Sequence, residues 1–313
     1  MTKRNDHFIV KEVKVVRIGI VGGGAIGLLF ATQMAEIDST IVFTKTVEQA
    51  RALSEQGITR IENEQKVIRC VQADITEQIE HYQLDLLFIA VKQYQLPSIL
   101  PYLQQISDDL PLVFLQNGMR HLQELDRLTH KHLFVATVEH GVLRIGPTTI
   151  DVRGRNRTNI SVYRGEEQKL SPFLNSLEAT FPFVWRENPR TMLLEKLSAN
   201  VVINSLTAVL KVTNGELITN SSFLKLAETV FAEFSAVFPE DVQEAMWTNV
   251  KQICLKTANN RSSMLSDLEK GQQTEVEAIV GYVLNEAKKK EIDVPLLQTL
   301  YWMIKGLEKK SLD

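Results

Sequence analysis

The stretch Val15-Val16-Arg17-Ile18-Gly19-Ile20-Val21-Gly22-Gly23-Gly24-Ala25-Ile26-Gly27 sets the architecture of this chain. Val15 to Val21 reads as a buried strand and Ala25 to Ile37 as a helix, with Gly22-x-Gly24-x-x-Gly27 at the junction. In that context each glycine has its own reason. The first permits a tight turn, the second lets a pyrophosphate approach the backbone, and the third lets the helix pack on the strand. The helix N-terminus offers free N–H groups and a partial positive charge to the phosphates. A dinucleotide held by Gly22, Gly23, Gly24, Ala25, Ile26 and Gly27 is therefore predicted. The alternative is a purely structural glycine turn.

The next strand, Thr40 to Phe43, runs into Thr44-Lys45-Thr46. An acidic residue at that point would bind the ribose hydroxyls of NAD. None is present, and a lysine with two hydroxyls suits a 2′-phosphate, so NADP(H) is the expected cofactor, with Thr44 and Lys45 at its ribose. Lys45 as a plain solvated lysine is the competing reading. A helix over 47–56 follows, then strands over 67–71, 84–91, 112–115 and 134–138. Strands alternating with helices predict an α/β fold, a Rossmann-type doubly wound sheet with helices on both faces. Residues 141–162 read as a few antiparallel edge strands with turns.

The pattern changes after Pro182. Asn188 is a plausible N-cap and Pro189 suits the first helical position. Further helices are expected over 223–237, 241–257, 274–290 and 295–307. Two domains follow: residues 1–186 for the cofactor and an all-helical 187–313 for substrate and catalysis. A length of 313 residues suits that division.

Composition narrows the class. A net charge of -3 gives no bulk attraction to nucleic acid or to anionic membranes. The two cysteines, Cys70 and Cys254, form no CxxC pair and argue against a disulfide framework or a zinc site. Met1 to Lys14 lacks an apolar run of secretory length, and no stretch of the sequence reads as the roughly 20 apolar residues that span a bilayer. A cytoplasmic protein without a metal is expected. The second-domain helices offer apolar surface for a homodimer.

Lys196, Asn200 and Asn204 lie at i, i+4 and i+8 of the first long helix. They drift by only about 80° around its axis and share one face. An ammonium can protonate a developing alkoxide, and carboxamides can orient a carbonyl and a carboxylate, so the trio suits a 2-keto acid. Spacing alone reads first as a solvated polar stripe. Asn117-Gly118 ends a strand, where open α/β sheets bind ligands, but it also reads as a turn. Asn260-Arg261-Ser262-Ser263 reads by default as a helix cap, and Glu275 as an acid favouring a helix dipole.

Taken together, these segments resemble the ketopantoate reductase (2-dehydropantoate 2-reductase) family over nearly the whole chain. The resemblance is carried by Ile20-Val21-Gly22 to Gly27, Val91-Lys92, Gln116-Asn117-Gly118-Met119, Glu139-His140-Gly141, Glu195-Lys196 through Ile203-Asn204, Thr213-Asn214-Gly215-Glu216-Leu217, Asn260-Arg261-Ser262-Ser263-Met264 and Thr274-Glu275-Val276-Glu277. It implies a Rossmann domain followed by a helical domain, and NADPH-dependent reduction of 2-dehydropantoate to pantoate in the route to pantothenate and coenzyme A. By position it implies Lys196 as general acid, with Glu275 catalytic, placed to pair with Lys196 and to touch the nicotinamide end beside Asn117. Lys92 and the backbone near Val142 would border the cofactor. Asn200, Asn204 and Asn214 would line the substrate site, and Asn260, Arg261, Ser262 and Ser263 would hold its carboxylate. The sequence departs from the family at Arg120, at Asp151 to Asn156, at Val276-Glu277 and at Val280. A reductase of a related branched 2-keto acid, and a non-catalytic NADP(H)-binding redox sensor, stand as the other readings.

Overall fold

The computed structural model describes residues 15–177, 179 and 181–312. Met1 to Lys14, read above for a signal sequence, lie outside them. The first half carries twelve strands among the described residues: β1 (Arg17–Val21), β2 (Ser39–Thr44), β3 (Ile58–Glu62), β4 (Gln65–Arg69), β5 (Gln72–Ile75), β6 (Leu86–Ile89), β7 (Leu112–Phe114), β8 (Leu133–Val138), β9 (Gly141–Arg144), β10 (Thr149–Gly154), β11 (Thr158–Arg164) and β12 (Phe183–Trp185). Eight of them form one sheet in the order β12-β11-β8-β7-β6-β1-β2-β5. Every pairing in it is parallel except β11 with β8.

From β1 the chain crosses to β2 on one side and later returns to β6 on the other. The sheet reverses direction between β1 and β6, and open α/β sheets bind ligands beyond the strand C-termini at such a point. Side chains alternate across the sheet. Ile18, Ile20, Leu86, Phe88 and Val113 pack with the first helix, Ala25–Met34. Val21, Leu87, Ile89, Leu112 and Phe114 face the other way, into an apolar core continuous with the C-terminal helices.

The remaining strands make a second sheet, β4-β3-β10-β9, that the sequence reading did not contain. The expected strand over 67–71 divides in two: 65–69 turns back on β3 as a hairpin, and only 72–75 joins the parallel sheet. The 141–162 segment splits likewise. β9 and β10 form an antiparallel hairpin in the small sheet, where β10 runs parallel to β3, while β11 enters the large one.

After Trp185 the chain is helical. Asn188 caps the helix Pro189–Leu210, its side-chain oxygen accepting from the N–H groups of Arg190 at 2.9 Å and Thr191 at 3.1 Å. This helix is long and apolar enough to cross a membrane by length and composition, contrary to the sequence reading. It is apolar nearly all round because it is a core helix: the helices Ser221–Val237, Glu244–Lys256, Ser263–Glu269 and Pro295–Leu312 pack on it and cover most of it. The helix expected over 274–290 is broken into a π-turn, Glu277–Gly281, and a helix, Tyr282–Lys289.

Candidate active site

The glycine turn lies at the C-terminal end of β1, at the direction reversal. Gly22 has φ +118°, a conformation L side chains rarely adopt, and its N–H donates to Phe43 O at 2.8 Å. A Cβ on Gly27 would stand 1.8 Å from Gly22 O, so only glycine lets the helix sit this close to the strand. A Cβ on Gly24 would meet no protein atom within 4 Å. Its bareness serves no packing need of the protein and leaves room for a ligand. The first helix has no side-chain cap and no acidic residue in its first turn, so its leading N–H groups stay available to an anion. These features fit a dinucleotide pyrophosphate.

At the end of β2 the structure separates three residues read together. The Thr44 hydroxyl is fully buried and donates to Thr46 O at 2.8 Å. Thr46 caps the next helix by accepting from Gln49 N–H. The Thr44 hydroxyl is therefore not free for a ribose phosphate, which corrects the reading of Thr44. Lys45 is exposed.

On the other side of the reversal, β6 and β7 deliver Lys92 and Asn117 to the C-terminal half. Lys92 Nζ donates to Asp267 Oδ2 at 3.0 Å and Glu275 Oε2 at 3.4 Å, and Asn117 Nδ2 donates to the same Glu275 oxygen at 3.0 Å. Burial alone would lower the pKa of Lys92, but Glu275 and Asp267 hold it above its ordinary value. Burial raises Asp267, against the pull of Lys92. Gly118 has φ +77°, and a Cβ there would lie 2.1 Å from Ala278 O in the π-turn. The two halves touch backbone to backbone at this point.

No pairing of Glu275 with Lys196 is found; the Glu275 oxygen that is engaged, Oε2, is held by Lys92 and Asn117. The acid whose charge acts on Lys196 is Glu139, at the end of β8. Burial lowers the pKa of Lys196 and Glu139 partly restores it. Glu139 is held by Asn159 Nδ2 at 2.8 Å and lies 3.5 Å from Arg157 Nε. It stood within the matched stretch Glu139-His140-Gly141, but nothing local marked it as a partner for a residue on a distant helix.

Asn200 and Asn204 are buried, and neither side-chain amide finds a hydrogen-bond partner among the described residues. The amide atoms themselves are not sealed in, so two mostly buried residues present open polar atoms, which suits a ligand surface. Asn214 donates to Thr257 Oγ1 at 2.9 Å while its Oδ1 is buried without a donor.

The segment 260–263 divides. Ser262 is the N-cap of the helix Ser263–Glu269: its Oγ accepts from Leu265 N–H at 3.2 Å and from the Thr207 hydroxyl at 2.7 Å. At 5% exposure the Ser262 hydroxyl serves the cap, and the donors expected for a carboxylate are the Ser263 hydroxyl and the local N–H groups. Arg261 is ion-paired with Glu269. Asn260 and Ser263 are exposed. Ser262→Ala should lower stability by about 1 kcal/mol, read as a lower melting temperature. A large loss of substrate affinity at unchanged stability would restore the binding role.

The family departures have local explanations. Arg120 Nη1 lies 3.9 Å from Glu277 Oε2, so two of the unusual residues face each other. Within 151–156, Arg153 pairs with Asp151 at 2.6 Å and Arg155 with Glu62 at 2.6 Å, both belonging to the small sheet.

Two family models match, one described as ketopantoate reductase PanE/ApbA over residues 18–165, the other as its C-terminal part over residues 188–308. The 2-dehydropantoate 2-reductase of Listeria innocua is 40% identical over 296 residues, 94% of this chain and 97% of that protein. That of Bacillus subtilis is 35% identical over 298 residues, 95% and 99% of the two chains. A solved structure of a probable 2-dehydropantoate 2-reductase from Bacillus subtilis superposes with a TM-score of 0.85, covering 93% of this chain and 100% of that one.

Proposed function

Since the chain belongs to the ketopantoate reductase family, we propose that it reduces 2-dehydropantoate to pantoate with NADPH, the step that supplies pantoate for pantothenate and coenzyme A. The observation that carries this reading is the face of the helix Pro189–Leu210 where Lys196 is followed by two mostly buried asparagines whose amides find no partner among the described residues. The part up to residue 186 holds the cofactor, and residues 187–313 hold the keto acid.

The cofactor supplies a hydride to the carbonyl carbon. Lys196 holds a proton at Nζ and delivers it to the carbonyl oxygen as negative charge develops there. A lysine pKa lowered by burial brings the donor nearer the working pH, which favours transfer. Glu139 offsets part of the cost that burial puts on the charged Nζ. Asn200 and Asn204 orient the carbonyl and carboxylate, and Asn214 lines the site near the hydroxyl that 2-dehydropantoate carries beyond its branched carbon. Ser263 and the N–H groups at the start of its helix receive the carboxylate. Asn117 and Glu275 border the nicotinamide end, with Lys92 fixing the Glu275 carboxylate. Lys45, unaccompanied by an acid at the end of β2, favours the 2′-phosphate of NADP(H).

The purified protein should consume NADPH with 2-dehydropantoate at a higher kcat/KM than with other branched 2-keto acids, and faster than with NADH, followed at the nicotinamide absorbance band. A higher kcat/KM on another 2-keto acid would overturn the substrate. Cofactor binding without turnover of any keto acid would overturn the enzyme.

A further inference from the structure

Arg144 is the last residue of β9, the outer strand of the small sheet, and no motif in the sequence drew attention to it. The fold carries it to the glycine turn. Its Nη1 donates to Gly23 O at 3.1 Å, across 121 residues of sequence. The same carbonyl accepts from Gln49 Nε2 at 2.8 Å, and Gln49 also reaches Pro147 O at 2.9 Å, in the turn between β9 and β10. Gln49 lies in the helix that Thr46 caps, directly after Lys45. Gly23, Gln49 and Pro147 thus hold together three segments: the glycine turn, the end of β2 and the β9–β10 hairpin.

Two cations border this junction. Arg144 and Lys45 are both exposed, and neither pairs with a carboxylate among the described residues. Elsewhere in the first half the arginines are mostly engaged by acids: Arg60 by Glu36, Arg69 by Glu36, Arg155 by Glu62, Arg153 by Asp151. Arg144 uses one nitrogen on Gly23 and has Nη2 and Nε left. A guanidinium positioned by one hydrogen bond keeps a planar edge for a phosphate, and such charge-assisted pairs are the strong ones.

We propose that Arg144 is a specificity residue for the phosphorylated cofactor, binding the adenosine 2′-phosphate opposite Lys45. This rests on the reading of the chain as NADP(H)-dependent and adds a second, non-local hand to the one at the end of β2. Arg144 is supplied by the small sheet, so cofactor choice depends on a unit outside the strand–turn–helix that binds the pyrophosphate. The bond to Gly23 fixes where the guanidinium stands before the cofactor arrives, which lowers the ordering cost of binding.

The test compares wild type with Arg144→Gln and Arg144→Ala by calorimetric titration with NADPH and NADH, and with 2′,5′-ADP and 5′-ADP as probes lacking the nicotinamide. Both variants should weaken NADPH and 2′,5′-ADP by about 10–50-fold, as expected for loss of a charge-assisted contact, and change NADH and 5′-ADP by less than about threefold. Arg144 is exposed at a strand edge, so the variants should fold, and NADH binding reports that directly. Equal weakening of all four ligands would overturn the proposal and make Arg144 a prop for the turn or a pyrophosphate ligand. No weakening of any would overturn it too. In both cases a wild-type preference for NADPH would leave the parent reading standing, whereas a wild type that binds NADH as tightly as NADPH would overturn both.

Discussion

Lys196→Ala should lower kcat for keto-acid reduction by roughly 10²–10⁴-fold, the range for removing a positioned general acid. NADPH affinity should change little, since the loss falls on the proton and not on the cofactor. The pH dependence gives an independent check. Lys196 donates in its charged form, and its pKa lies below the ordinary 10.5 because burial disfavours that form. In the wild type the reduction rate should therefore fall as pH rises through that lowered pKa, below the pH at which an ordinary lysine would deprotonate. The residual rate of the alanine variant should lack this limb. Stopped-flow measurement of the hydride step across alkaline pH reads both effects. A variant within about threefold of wild type would remove Lys196 from the chemistry.

The second large effect is at the glycine turn, and a pair of variants separates two roles. In Gly27→Ala the new methyl would meet Gly22 O at 1.8 Å, a backbone atom that cannot rotate away. The helix must move off β1, taking its N-terminal N–H groups with it. Stability should drop by about 3 kcal/mol and affinity for NADPH and NADH should fall together by an order of magnitude or more. In Gly24→Ala the methyl meets nothing in the protein within 4 Å. Its melting temperature without cofactor should match wild type, while cofactor affinity falls through collision with the pyrophosphate. If Gly24→Ala binds as tightly as wild type, the dinucleotide does not lie over this turn.

Much of this site was legible because its signals are local. The glycine spacing, the helix over 47–56, and the Asn188-Pro189 start of the long helix all follow from residues within a turn or two of one another. What escaped was non-local. β3 pairs with β10, nearly a hundred positions later, and no local periodicity announces that partnership. The apolar positions Val67, Ile68 and Val71 read as one strand because period alone does not show a strand leaving one sheet for another. Ser262 is a case where the plain local reading is enough: a Ser before a helix reads as its cap, and its buried hydroxyl serves the cap and Thr207, apart from the Ser263 hydroxyl and N–H groups expected to meet a carboxylate. Thr44 is the contrary case: a hydroxyl suited in kind to a phosphate, but turned inward to backbone carbonyls.

Lys92, anchored on β6's trailing loop, grips Asp267 and Glu275 from the helical half, and Arg120 faces Glu277 nearby. These contacts limit recombination between relatives. A chimera joining this N-terminal half to a foreign C-terminal half inherits a lysine that requires acids at both positions, and a glycine at 118 that requires a backbone carbonyl at the π-turn. The start of the helical part, after Trp185, is a poor place to exchange halves. The residues that make the halves compatible lie at 92, 118 and 120 on one side and at 267, 275 and 277–278 on the other, so parts from different lineages must be matched there and not at the join.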